Sequence, residues 1–130
     1  MRILTWNCNG AFRRKVNLLE PFGADIIVVQ ECEEPSQGYA EYHRWAGQHI
    51  WAGSNLQKGL AVFVREGHTV TPLAWPDAGT SLFLPVTVNE CLQVLGVWTQ
   101  VAPRTQDSYT GQFWHYFQRN RAKVSHNMII

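Results

Sequence analysis

Two stretches decide the fold: Ile3-Leu4-Thr5-Trp6-Asn7 and, further on, Asp25-Ile26-Ile27-Val28-Val29-Gln30-Glu31. The second is apolar on both faces, as a strand buried in a parallel sheet must be. Between them Phe12, Val16 and Leu19 recur at helical spacing, with Arg13, Arg14 and Lys15 lying between them in sequence. The spacing predicts a helix over Ala11 to Glu20, ended by Pro21. Strand, helix and strand within about thirty residues make a βαβ unit, right-handed by rule. Ile3, Thr5 and Asn7 share one face of the first strand, and Ile27, Val29 and Glu31 one face of the second. As parallel neighbours they bring Asn7 and Glu31 out side by side at the carboxyl edge, where open α/β sheets bind ligands. A carboxylate and an amide oxygen are hard donors suited to Mg²⁺. The same two residues also read as the start of the Asn7-Cys8-Asn9-Gly10 turn and a solvated strand end.

Working outward, Ser36 to Ala46 is predicted helical. His49 to Ala52 and Gly59 to Arg65 read as strands around Asn55 to Lys58, and Ser81 to Val88 and Cys91 to Thr99 as a hairpin around Asn89-Glu90. Glu66 to Gly79, with two prolines and two glycines, reads as loop. Ser108 to Arg121 is a helix with Ser108 as N-cap and a stripe of Tyr109, Phe113, Tyr116 and Phe117. Asn127 to Ile130 begins another strand, and a chain that stops in an apolar strand suggests truncation. The expectation is one domain over residues 1–130.

Composition narrows the function classes. The 130 residues are 45% hydrophobic and 16% charged, so disorder is excluded, and six Trp call for a large buried surface. A net charge of +1 gives no long-range pull toward nucleic acid or anionic lipid. Three cysteines, with no C-x-x-C, read as reduced thiols in a cytoplasmic protein. No run is long enough to span a membrane. The five His have no ligand spacing for zinc. Glu33 and Glu34, beyond the strand end, are expected to be solvated.

Arg2 to Gly10, followed by Asp25 to Glu31, resembles the opening of the endonuclease/exonuclease/phosphatase superfamily, the deoxyribonuclease I-like fold. Lys58-Gly59-Leu60-Ala61-Val62-Phe63-Val64-Arg65 and Leu92 to Thr99 are similar to its next two motifs. The resemblance implies an α/β fold: half of a four-layer α/β/β/α sandwich, with one mixed sheet and its flanking helices. It implies a Mg²⁺-dependent phosphoester hydrolase, with Mn²⁺ as a substitute ion. Asn7 and Glu31 match the family's active-site Asn and metal-binding Glu, and both are carried over as catalytic and metal-site residues. Trp98 stands where the family usually has His or Tyr, and Arg104 where some nucleases contact phosphate; both are expected to bind substrate. Indole has a single N–H and cannot shuttle a proton at neutral pH. The family's Gly-Asp-Xaa-Asn motif and final Asp-His pair are absent, so the chain is expected to be inactive alone. An open inner sheet face is expected to drive self-association. The substrate, nucleic acid or a small or lipid phosphate, is left open. The alternative from another class is a non-catalytic, aromatic-rich binding module derived from the fold.

Overall fold

The computed structural model describes residues 1–37, 39–76, 83–100 and 108–130. Strand β1 (Ile3–Asn7) lies parallel to β2 (Ile26–Cys32), with Ile3 opposite Ile26 and Asn7 opposite Gln30. The helix α1 (Ala40–Ala46) follows, then β3 (His49–Asn55) and β4 (Lys58–Val64). Strand β4 pairs antiparallel with both β2 and β3, giving a first sheet in the order β1-β2-β4-β3.

A second sheet contains β5 (Val70–Pro72), β6 (Phe83–Val88), β7 (Leu92–Val97) and β8 (Met128–Ile129), in that order. Its first three strands are antiparallel, and β8 joins β7 in parallel after the crossover helix α2 (Tyr109–Asn120). Ser108 caps α2, its hydroxyl accepting from the Gly111 N–H.

The α/β class and the sandwich agree with the sequence reading; the number of sheets does not. This chain supplies two mixed sheets rather than one, and they cover each other. Ile26, Val28 and Val62 of the first pack on Leu84, Val86 and Val94 of the second. The inner face expected to stand open for self-association is therefore covered at its centre and remains open along β1 and β8. The physical reason is that the hairpin β6–β7 is apolar on both faces, which fits a second layer as well as an extension of the first. Strand β5 falls in the stretch read as loop. Its Pro72 sits on an edge strand, where a missing N–H breaks no ladder on the outer side.

The outer face of the first sheet carries Ile27, Val29, Ala61 and Phe63, covered by Phe12, Leu19 and Tyr42. Phe12, Val16 and Leu19 are buried as their spacing predicts, but their backbone is not α-helical. It forms two 3₁₀ segments, Phe12–Arg14 and Val16–Phe22, separated at Lys15. Pro21 lies inside the second, and Gly23, left-handed at φ 53°, ends it. Helix α1 starts at Ala40 rather than Ser36, because the Glu34 carboxylate accepts from the Ser36 N–H and hydroxyl and holds a turn there. On the second sheet, Phe83 and Leu95 pack beneath Tyr116 of α2. Cys8 and Cys32 are buried, Cys91 is exposed, and all three are free thiols. An apolar groove of about 520 Å³ remains between the edge strands, touching Ile3, Val97, Phe113 and Ile130. Among the described residues no helix is long and apolar enough to cross a membrane.

The Phe12 ring is fully buried, with its centroid 5.3–6.0 Å from those of Trp6, Tyr42, Trp45 and Phe63. Phe12→Ala is expected to destabilise the chain by about 3–5 kcal/mol. Leu18, 62% exposed, provides the control; Leu18→Ala should change stability by no more than about 0.5 kcal/mol. Urea titration of both variants checks the contrast.

Candidate active site at the bulge in the second strand

The structure brings Asn7 and Glu31 together, but not by strand parity. In the observed register Asn7 lies opposite Gln30, so the face of Ile3, Thr5 and Asn7 continues into Val28 and Gln30. The Gln30 amide donates to Thr5 Oγ1 at 3.1 Å and to the Val97 carbonyl at 3.3 Å. Parity alone would put Glu31 on the other face, with Ile27 and Val29.

A bulge overrides it. The β2–β4 register shifts between Gln30 and Cys32, and Glu31 is left-handed at φ 64°. For a non-glycine residue that conformation costs about 1–2 kcal/mol. It turns the carboxylate toward the strand end. There Oε1 accepts from Asn7 Nδ2 at 3.1 Å, and Oε2 accepts from Lys58 Nζ at 2.9 Å.

Neighbouring groups hold this geometry. The Trp51 indole N–H donates to the Cys32 carbonyl, 3.2 Å away, one residue past the bulge. Its ring fills the space above two glycines: a Cβ on Gly53 would meet it at 2.4 Å and one on Gly59 at 2.3 Å. Asn55 Oδ1 accepts from the Gln57 and Lys58 amides and closes the β3–β4 turn. On the other side Asn7 Oδ1 accepts from the Asn9 N–H at 3.1 Å. The Lys15 ammonium binds the Cys8 and Gly10 carbonyls, fixing a loop that passes through left-handed Asn9, Gly10 and Ala11.

Asn7, Glu31 and Lys58 line a polar cavity of about 500 Å³. Ser54 and Asn55 wall one side; Trp98, Thr99 and Gln100, just past β7, wall the other, with Tyr109 at the start of α2. The Gln112 side chain donates to the Gln100 carbonyl at 2.6 Å and accepts from its N–H, tying α2 to that wall. Among the described lining residues Glu31 and Lys58 alone carry charge. The hydrogen bond from Lys58, and then that from Asn7, hold the Glu31 carboxyl below its ordinary range; the same contact pushes the Lys58 ammonium up.

Trp98 therefore lines the cavity, as does Tyr109, read from the sequence chiefly as part of the helix stripe. Arg104 lies outside the described residues. Glu33 is not solvated as expected: it is 4% exposed and ion-paired with Arg13, whose guanidinium also sits 4.4 Å from the Tyr39 ring centroid. Glu34 is half-buried. The bulge is the reason, since it sends Cys32 and Glu33 inward past Glu31. Lys58, Ser54, Asn55 and Gln100 were not foreseen as site residues. Lys58 was legible only as the residue before Gly59 in a recognised motif.

The donors suit a hard cation in part. One carboxylate stands at the edge of an open polar cavity, and Mg²⁺ commonly takes one or two carboxylates and completes its shell with water and substrate oxygens. The Asn7 amide nitrogen faces Glu31 and its oxygen holds the Asn9 N–H, so Asn7 serves here as the donor that orients the carboxylate. Among the described residues there is no group of three or more His, Cys, Asp or Glu placed to hold a metal ion.

No family model and no curated protein matches the sequence. Solved structures do. An AP endonuclease from Archaeoglobus fulgidus aligns over 96% of this chain and 53% of its own length, at 18% identity and a TM-score of 0.64. The 3′ phosphatase NExo from Neisseria, solved with a product DNA hairpin, aligns over 95% of this chain and 49% of its own, at 26% identity and a TM-score of 0.57. An endonuclease/exonuclease/phosphatase from Beutenbergia cavernae aligns over 95% and 45%, at 17% identity and a TM-score of 0.54. The chain thus has the fold of the endonuclease/exonuclease/phosphatase superfamily and spans about half the length of these structures.

Two neighbouring glutamates should behave differently. Glu33→Ala strands the half-buried Arg13 guanidinium and is expected to lower stability by about 3 kcal/mol. Glu34→Ala loses only a local turn contact and should cost less than about 1 kcal/mol. Thermal denaturation of the pair distinguishes them; equal losses would contradict the assignment.

Proposed function

We propose that this chain carries the cation-binding and phosphate-orienting part of a Mg²⁺-dependent phosphoester hydrolase, with Mn²⁺ as a substitute ion. The observation that carries the reading is Glu31, turned by a left-handed bulge into the lining of an open polar cavity beside Asn7 and Lys58. Asn9, Ala11, Asn89 and Glu90 share the left-handed conformation in loops and turns, whereas Glu31 adopts it inside a strand, where the strain is stored at the cavity. The chemistry a bound ion supplies is polarisation of the phosphoryl group and stabilisation of the leaving oxygen. Glu31 would hold the ion. Asn7 donates to Glu31 Oε1 and so orients the carboxylate with Oε2, held by Lys58, as the oxygen that would face the ion. Trp98 and Tyr109 offer apolar faces and polar N–H and O–H tips to the non-reacting part of the substrate. Trp98 and Arg104 are the proposed substrate contacts.

General-base catalysis of water attack needs a group within hydrogen-bond reach. The described lining of the cavity has no His and no second carboxylate. The reading is therefore that the base comes from outside this lining and that these 130 residues bind the ion without turnover. The near-neutral charge weighs against a non-specific nuclease, which gains affinity from many basic phosphate contacts. Three free thiols, two of them buried, support the cytoplasm as its compartment. A second reading, a binding module without catalysis, draws on the same aromatic wall at Trp98 and Tyr109.

The test pairs calorimetry with an assay. Mg²⁺ titrated into the purified chain is expected to bind, and Glu31→Gln to weaken binding by about tenfold or more. A generic phosphodiester incubated with the chain and Mg²⁺ should not be hydrolysed. Unchanged Mg²⁺ affinity in Glu31→Gln would remove Glu31 from the site. Mg²⁺-dependent turnover lost in Glu31→Ala would show that the chain holds its own base.

A further inference from the structure

We propose that Lys58 is the phosphate-contacting cation of this site, held on Glu31 until a metal ion takes that carboxylate. The inference rests on the phosphoester reading and deepens it by giving the substrate's anionic group a partner in this chain.

Three observations carry it. First, the pair neutralises the cavity. Glu31 and Lys58 are the only charged groups among its described lining residues, and with Nζ 2.9 Å from Oε2 they cancel. An anionic phosphoester entering that cavity meets polar walls but no net attraction. A divalent ion on Glu31 changes this, because it leaves the Lys58 ammonium as a compact charge with three donors and no acceptor.

Second, the pair is exchangeable. The Lys58 side chain is 50% exposed and that of Glu31 20%, and ion pairs near the surface contribute little net free energy. Glu31 keeps its orientation without Lys58, because Asn7 Nδ2 holds the other carboxylate oxygen.

Third, the backbone that bears Lys58 is fixed while its stem is free to swing. The Lys58 N–H is bonded to Asn55 Oδ1, and the next residue is Gly59, which has no room for a side chain beneath Trp51. The ammonium therefore moves on a fixed pivot within the cavity. The buried Arg13–Glu33 pair two residues past Glu31 has none of this freedom.

The experiment measures binding of inorganic phosphate by calorimetry, without divalent cations, to the whole chain and its variants. Glu31→Gln frees Lys58 and is expected to bind phosphate about three- to fivefold more tightly than the unmodified chain, the range an exposed pair of this kind supports. Glu31→Gln with Lys58→Met should lose the gain, and Glu31→Gln with Lys58→Arg should keep it. No gain in Glu31→Gln overturns the proposal. So does a gain that persists with Lys58→Met, since it would come merely from deleting a negative charge. Mg²⁺ titration in parallel separates the two readings. Mg²⁺ binding with no Lys58-dependent gain leaves the metal site and removes Lys58 from it; a Lys58-dependent gain without Mg²⁺ binding keeps Lys58 as a phosphate ligand and removes the metal.

Discussion

The inserted residue in β2 reconciles two demands that an unbroken strand could not meet. The outer face of the first sheet is a packed apolar layer, in which Val29 and Phe63 lie against Phe12 and Tyr42. An uninterrupted alternation would drive Glu31 into that layer, where an unpaired carboxylate is costly. The left-handed turn at Glu31 takes it out of the alternation and lets Cys32, small and apolar, fill the position instead. The same turn delivers the carboxylate to Asn7 and Lys58. The strain is local, and the restraint comes from Trp51 over Gly53 and Gly59 and from its N–H on the Cys32 carbonyl. Core packing and site geometry therefore depend on one residue's backbone.

Glu31 and Glu33, two residues apart, show how burial alone divides similar chemistry. Glu33 is enclosed with Arg13, and the Tyr42 hydroxyl donates to its carbonyl, so this pair ties the 3₁₀ segment and α1 to the sheet. Removing either partner would leave a charge without water. Glu31 lines an open cavity beside a cation on a flexible stem. It can exchange partners because water can reach it. A residue chosen for carboxylate chemistry from sequence has to be told apart from its neighbour by this difference, which no spacing encodes.

Strand β1 was legible in its full extent and β2 to within its last residue, because long apolar runs and a polar terminus leave few alternatives. Phe12, Val16 and Leu19 were legible as a buried stripe, since 3₁₀ and α geometry bury nearly the same positions over so short a span. What separated them was the left-handed Ala11 and the Lys15 ammonium turned back onto two carbonyls, both tertiary choices. The pairing of Asn7 with Glu31 was reached by an argument from parity that the register does not support; the motif resemblance pointed to the same two residues, and the bulge is what brings them into contact. The second sheet was missed because hydrophobic alternation says which faces are buried and not which sheet a hairpin joins. Lys58 was missed because an ion pair from β4 to a bulge in β2, 27 residues away, has no local signature.

The central claim is that Glu31 presents a carboxylate to a cation and that Lys58 gives way to it. Anomalous diffraction from crystals of this chain grown with Mn²⁺ tests both parts at once. The account predicts one ordered peak at roughly 2.1–2.2 Å from a Glu31 carboxylate oxygen, within the range of hard-cation coordination, with Lys58 Nζ no longer on that carboxylate. A Mn²⁺ peak elsewhere, with the Lys58–Glu31 contact unbroken, would contradict it.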